Sequence, residues 1–291
     1  MQLTEEHAEM VALADIDITL APKKILLYGM SKTGKTFQAM KLAEHGYIIH
    51  YIGGENGHIV GKQLSLDAQK RIDVIQLPDT ITNPCMMQSL AHLFKGGEFK
   101  PCVEHGLHKC LPCTGAQKPF NFLKLADCGP KDIIVLDSGT QWGNSILAHM
   151  ALKQPEDWTP EWEHWRRQGA VLDMGLGVIQ NSTKNWIVIT HEIAHENQAG
   201  DEKIFPMAGT RNFSRNSAKY FDTVVYCEVV NGKHVFASRT TYKNKVVTGD
   251  RMGVQVESSD KGLLPIFEGD TSGNKPVGAA AALAALGVKK P

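Results

Sequence analysis

Eight consecutive residues, Gly29-Met30-Ser31-Lys32-Thr33-Gly34-Lys35-Thr36, carry the pattern G-x-x-x-x-G-K-[ST]. Glycines at its two fixed positions let the backbone curl N–H groups around phosphate oxygens, and a helix starting there aims its positive end at the same anion. In such a turn Lys35 reaches the terminal phosphates, Thr36 offers its hydroxyl to Mg²⁺, and Met30, Ser31, Lys32 and Thr33 complete the cradle. The metal needs a second oxygen donor at the end of a buried strand. Asp137, directly after Ile133-Ile134-Val135-Leu136, occupies that position. Its successor is Ser138 rather than a glutamate, so the group that activates water must come from elsewhere. Glu55, in Ile52-Gly53-Gly54-Glu55-Asn56-Gly57, sits just past the strand after the turn's helix and is expected to deprotonate the attacking water. No Asn-Lys-x-Asp guanine-reading motif occurs, which favours ATP over GTP.

A second group of reactive side chains is sulfur-rich. Five of the six cysteines fall between Cys85 and Cys128, a clustering that argues for metal or free thiols rather than disulfides. Cys110-Leu111-Pro112-Cys113 is a C-x₂-C pair able to bite one tetrahedral ion. Cys102, Cys110, Cys113 and Cys128 are the expected zinc ligands, with His105 or His108 as substitutes, and a closed set of four implies a structural role. The competing reading is reduced cysteines in a flexible insertion. Cys227 alternates with apolar residues and reads as core.

Elements of the right kind surround these residues. Ile25 to Tyr28, Tyr47 to Ile52, Ile72 to Leu77, Ile133 to Leu136 and Trp186 to Thr190 read as strands, the first and fourth of them buried, separated by helical stretches at 35–44, 83–94, 141–153 and 160–181. Thr223 to Val230 and His234 to Thr241, joined by Asn231-Gly232, form a predicted hairpin. Trp158, Trp162 and Trp165 have helix-face spacing and are expected to pack. The pattern is α/β: a mostly parallel central sheet, helices on both faces and a C-terminal β-hairpin. Residues 1–22 read as a lead-in with Ile16, Ile18 and Leu20 alternating like an edge strand. Residues 23–268 form the main domain, with a Gly/Pro/Cys/His-rich insertion over about 95–130. Residues 269–291 read as a disordered tail.

Of the 291 residues, 31 are Lys or Arg and 31 are Asp or Glu, so no global positive field advertises nucleic acid or an anionic membrane. Any such binding must come from local clusters. The longest weakly apolar run, Val277 to Val288, is too short for a bilayer, and the acidic start does not read as a signal peptide. The expected setting is the cytoplasm, the host's if the chain is phage-encoded.

The phosphate turn, Glu55 and Asp137-Ser138 together resemble the RecA/Rad-type recombinase ATPase core, and most of all the short phage-encoded RecA-like ATPases of single-strand annealing and recombination. The resemblance covers about residues 20–255 without the insertion. It implies an ATP-hydrolysing P-loop NTPase acting on single-stranded DNA, with Glu55 in the place of the family's catalytic glutamate. The family's polar sensor is typically Asn-Gln, where this chain has Thr190-His191-Glu192; His191 or Glu192 is then the reporter of the γ-phosphate. Tyr242-Lys243-Asn244-Lys245 resembles the Lys-Asn-Lys segment that reaches a neighbouring subunit's γ-phosphate. That implies a ring or filament with ATP at subunit interfaces and Lys243 and Lys245 acting in trans. The segment Ile193 to Arg215 corresponds to the family's DNA-contacting loop, and its Lys203, Phe205, Arg211, Phe213 and Arg215 suit a single-stranded backbone and its bases. Alternatives are a helicase loader or replication accessory ATPase, and a small-molecule kinase.

Overall fold

Successive side chains of a strand point to opposite faces, so a strand that is apolar at every position must be covered on both sides. The computed structural model describes residues 20–196, 202–238, 245–251, 253, 254, 256 and 261–269, and its central strands, such as Lys24–Tyr28 and Asp132–Asp137, behave in this way. The chain begins β1 (Lys24–Tyr28), α1 (Lys35–Lys41), β2 (Ile48–Gly53), α2 (Leu66–Gln69), β3 (Ile72–Gln76) and α3 (Cys85–Leu93). The insertion follows with β4 (Glu98–Phe99), α4 (Leu111–Gly115) and β5 (Leu123–Lys124). Then come β6 (Asp132–Asp137), α5 (Gly139–Ala151), α6 (Trp162–Asn181), β7 (Asn185–Glu196), β8 (Glu202–Met207) and α7 (Arg211–Asn216). The last described elements are β9 (Thr223–Val230), β10 (Lys233–Ala237), β11 (Gly249–Asp250) and α8 (Leu264–Glu268).

The main sheet runs β10-β9-β1-β7-β6-β2-β3. All neighbours from β9 to β3 are parallel, while β10 and β11 pair antiparallel with β9 and β8 with β7. The expected fold class, including the C-terminal hairpin, is what forms. Leu26, Tyr28, Ile134, Leu136, Trp186 and Val188 pack on one face with Trp142 of α5 and Leu172 of α6. Ile25, Leu27, Ile133, Val135, Ile187 and Ile189 pack on the other with Ala39 and Met40 of α1 and Ile266 of α8. Burying one such side chain contributes about 1.5–3 kcal/mol, so these two layers fix the strand ends from which the site is built.

Two features differ from the sequence expectation, and a third decides between readings that it left open. β7 does not stop at Thr190 but runs to Glu196 and pairs with β8, placing Ile193 opposite Phe205 and Ala194 opposite Ile204. The segment expected to be an aperiodic loop is therefore a hairpin arm followed by α7, whose cap Thr210 accepts from the Phe213 N–H at 3.3 Å. Apolar cross-strand neighbours decide this pairing, and periodicity within either strand does not reveal it. The tryptophans also sort differently: Trp162 is 76% exposed, Trp158 meets His164 edge-on, and the buried indoles are Trp142 and Trp186. Helix α6 turns Leu172, Leu176 and Ile179 inward instead, and Gly175 makes room for Trp142, since a Cβ there would lie 2.3 Å from the indole. The insertion, for which both an ordered and a flexible state were open, is ordered and tied to the main domain. Ser89 donates to the Gly106 carbonyl, and Asn83 Nδ2 donates to the His105 carbonyl at 2.9 Å. The expected edge strand at Ile16 and Ile18 and nearly all of the expected tail lie outside the described residues.

Candidate active site

β1 ends at Tyr28 and the chain turns through Gly29 to Gly34 before α1. Gly29 has φ +148°, and a Cβ there would stand 2.0 Å from the Cys227 carbonyl of β9, so no other residue fits so close to the neighbouring strand. Gly34, at φ +86°, lies under His234 of β10. Lys35 is buried, and its Nζ donates to the carbonyls of Gly29 at 2.9 Å and Met30 at 2.5 Å. Burial pulls this amine below its ordinary pKa, while Cys227, Asp137, Glu192 and Glu55 push it back up. A desolvated cation bonded only to turn carbonyls and a hydroxyl is suited to meeting an incoming anion.

β6 delivers Asp137 to the same place from two strands away. Thr36 Oγ1 donates to Asp137 Oδ2 at 2.6 Å, and the Tyr51 hydroxyl of β2 donates to the same oxygen at 3.1 Å. Burial raises the Asp137 pKa above the ordinary carboxylate range; the Thr36 and Tyr51 hydrogen bonds and Lys35 act against that, and Glu55 adds to it. A Cβ on Gly57 would lie 2.9 Å from the Tyr51 hydroxyl, 3.0 Å from Asp137 Oδ2 and 3.4 Å from Thr36 Oγ1, so this glycine keeps the space beside the donors open. Oxygen donors with room for retained waters fit Mg²⁺. Gly57→Ala should raise the Mg²⁺ concentration for half-maximal turnover at least about tenfold, the usual cost of disturbing a metal's surroundings. An Mg²⁺ titration of turnover that overlays wild type would refute that role.

Glu55 follows the end of β2, exposed, and the adjacent Gly54 N–H donates to the Asp137 carbonyl at 3.0 Å. Lys35, Thr36, Glu55, Gly57, Asp137 and His191 all line one cavity of about 650 Å³. The turn and the two acids thus share one end of the sheet. Of the two sensor candidates only His191 lines the cavity, with its Nδ1 3.4 Å from Ser31 Oγ. Its N–H donates to Thr140 Oγ1 at 2.9 Å, and Thr140 donates on to the Met207 carbonyl of β8 at 2.8 Å. Glu192 lies instead beside Tyr226, whose phenol is pushed up by burial first and by the Glu192 charge second. Tyr51, Gly57 and His234 were not singled out from sequence. The only local signal was Gly57 itself, in a Gly-Gly-Glu-Asn-Gly string.

The other candidates are spread over the molecule. Lys203 and Phe205 sit on β8, and Arg211 and Arg215 on α7, with the Arg215 guanidinium 5.9 Å from the Phe205 ring centre. Arg211 lines a groove of about 460 Å³ together with Trp162, Trp165, Arg166 and Lys219. Lys245 pairs with Glu202 at 3.5 Å along β8 and does not line the cavity; Lys243 lies outside the described residues. In the insertion, Cys102, Cys110 and Cys113 come together with His105, their ligand atoms all within 4.8 Å of one another. Cys128 is not part of that group. It precedes β6, beside His50 and Asp132, whereas Gly106 touches Leu77 just past the end of the parallel β3, so the two lie at opposite ends of the sheet. His108 stacks on His92 instead, with ring centres 4.3 Å apart.

No family model matches the chain, and no curated protein does. Among solved structures it is similar to an ATPase from the type III secretion system of pathogenic bacteria, with 10% identity and a TM-score of 0.38. That similarity covers 72% of this chain and 52% of the other, so the chain spans about half the length of that structure. Among the described residues, no helix is long and apolar enough to cross a membrane.

Proposed function

We propose that this chain is a RecA-like ATPase that hydrolyses ATP with Mg²⁺, works on single-stranded DNA in recombination, annealing or repair, and assembles with ATP at subunit interfaces. One observation supports the reading most: β7 leaves the cavity at His191 and continues unbroken into the hairpin with β8, which carries Lys203 and Phe205 and packs on α7 with Arg211 and Arg215.

Lys35 neutralises charge on the terminal phosphates. Thr36 and Asp137 would hold Mg²⁺, which would supply further positive charge against the phosphates. Glu55 orients the attacking water and takes its proton. His191 lies against Ser31 of the phosphate turn, and its N–H reaches Met207 on β8 through the Thr140 hydroxyl. A change at the γ-phosphate therefore has a short covalent and hydrogen-bonded route to the hairpin, which needs two arrangements for ATP and DNA to be coupled. Lys245 pairs with Glu202 and does not line its own cavity, which suits a residue serving a neighbour's ATP, and Lys243 is assigned the same role.

The test is ATP turnover with and without single-stranded DNA. DNA should accelerate hydrolysis, with a steep fall in binding as salt rises, because backbone phosphates contribute most of the attraction. Phe205→Ala removes a stacking surface worth about 1–3 kcal/mol per base, so it should raise the DNA concentration for half-maximal stimulation by about tenfold. Turnover indifferent to DNA but accelerated by a nucleoside or metabolite would refute the reading and favour a small-molecule kinase.

A further inference from the structure

We propose that Cys102, His105, Cys110 and Cys113 bind one structural Zn²⁺ ion, with His105 coordinating through Nδ1. A tetrahedral ion with bonds of about 2.3 Å to sulfur and 2.0–2.1 Å to nitrogen requires S···N edges of about 3.6 Å. The His105 Nδ1 lies 3.2 Å from Cys113 Sγ, 3.5 Å from Cys110 Sγ and 3.9 Å from Cys102 Sγ. Those three edges bracket the required value. Three sulfurs and one imidazole at tetrahedral separations favour zinc over hard, oxygen-seeking cations.

The local backbone is built to present these atoms. Cys102-x₂-His105 and Cys110-x₂-Cys113 form two hooks of equal spacing, four residues apart. The His105 N–H donates to Cys102 Sγ at 3.3 Å, so the first hook folds its own backbone onto the sulfur. Gly106 and Lys109 adopt φ +64° and +56°, which reverses the chain between the hooks. The other ring nitrogen of His105, Nε2, lies 3.9 Å from a Glu104 carboxylate oxygen, an electrostatic neighbour beyond hydrogen-bond length.

Phe99 and Leu123 anchor the insertion in the main core, with Leu107 packed against it, but that packing does not account for the grouping of the sulfurs. The three buried sulfurs form their own cluster, with only Leu107 and Phe120 packed against it. The regular structure of the insertion amounts to two-residue β4 and β5, the short α4 and one 3₁₀ turn at Leu125–Asp127. A structural zinc ion supplies folding free energy directly, and it would rivet the insertion to α3 and the turn before it through the Ser89–Gly106 and Asn83–His105 contacts. No position is left open for a substrate, so the ion has no part in hydrolysis.

The experiment is zinc quantification on the full chain purified without chelator, paired with Co²⁺ substitution. One zinc per chain is expected, released on thiol modification, and the Co²⁺ protein should show the intense visible bands of a tetrahedral thiolate site. Cys110→Ser and His105→Ala should each lose most of the metal, while Cys128→Ser should retain it. Should a variant fail to fold, the cobalt spectrum of the wild-type chain decides alone. Substoichiometric zinc together with a weak octahedral cobalt spectrum would overturn the assignment. So would a Cys128→Ser chain that is as metal-free as Cys110→Ser. Neither readout depends on ATP hydrolysis.

Discussion

Lys35→Met is expected to lower ATP turnover by about 10²- to 10³-fold, the range for removing one preorganised donor from a site where charge develops. The amine is buried and bonds to the Gly29 and Met30 carbonyls, within the field of Asp137 and Glu55. Its charge is held where water cannot screen it, so its attraction for a phosphate exceeds that of a surface lysine. Methionine keeps the apolar stem and length and removes only the charge and its donors. Lys35→Arg separates charge from shape: a guanidinium is planar and forked, and two carbonyls of a tight turn do not offer it a matching edge. The arginine chain should therefore also lose most of its turnover. Steady-state hydrolysis and nucleotide binding measured on both variants check this, and a Lys35→Met chain with wild-type turnover would remove the basis of the proposed activity.

The turn from Gly29 to Thr36 is legible in the sequence because its residues are contiguous. Gly29, Gly34, Lys35 and Thr36 lie within eight residues, and backbone curvature alone brings them together. Asp137 was legible because a strand apolar at every position ends there, and Glu55 because glycines flank it after the next such strand. Tyr51, Gly57 and His234 were not, since each meets the site only through the order of strands in the sheet. Gly57 and Tyr51 come from the β2 side and His234 from the far hairpin, and no spacing within one segment records that. Pairing of β7 with β8 was missed for a related reason: its register depends on Ile193 meeting Phe205. In the insertion the C-x₂-C pair was visible and His105 was named as a substitute ligand, but preferring a fourth cysteine put Cys128 ahead of it, and Cys128 lies with His50 and Asp132 instead. Trp162 shows the opposite error, where helix spacing suggested burial but the residue sits in the first turn of α6 and is exposed.

Asp137→Asn is expected to separate function from stability in opposite directions. Turnover with Mg²⁺ should fall by about 10²–10³-fold, because the metal loses its only anionic protein donor among the residues assigned to it. Without metal or nucleotide, the variant should melt at a higher temperature than wild type at neutral pH. Thr36 and Tyr51 both donate to one oxygen, Oδ2, and an amide oxygen can accept both bonds while leaving no buried charge. The sign follows from the raised pKa of Asp137. When the folded-state value exceeds that of the unfolded chain, the folded state binds more protons between the two. Stability then falls as pH rises from the unfolded value of about 3.9 through the folded one. Wild type pays this penalty in full above the folded value, and the variant does not carry the group. The difference in melting temperature should accordingly shrink as pH is lowered towards about 4. Saturating Mg²⁺ and nucleotide reverses the order, because binding stabilises only the chain that retains the site. Melting curves of both chains across pH, in chelator and in Mg²⁺ with nucleotide, measure all of this. A metal-free variant less stable than wild type at neutral pH would show that the Asp137 charge is held for the fold rather than for a cation.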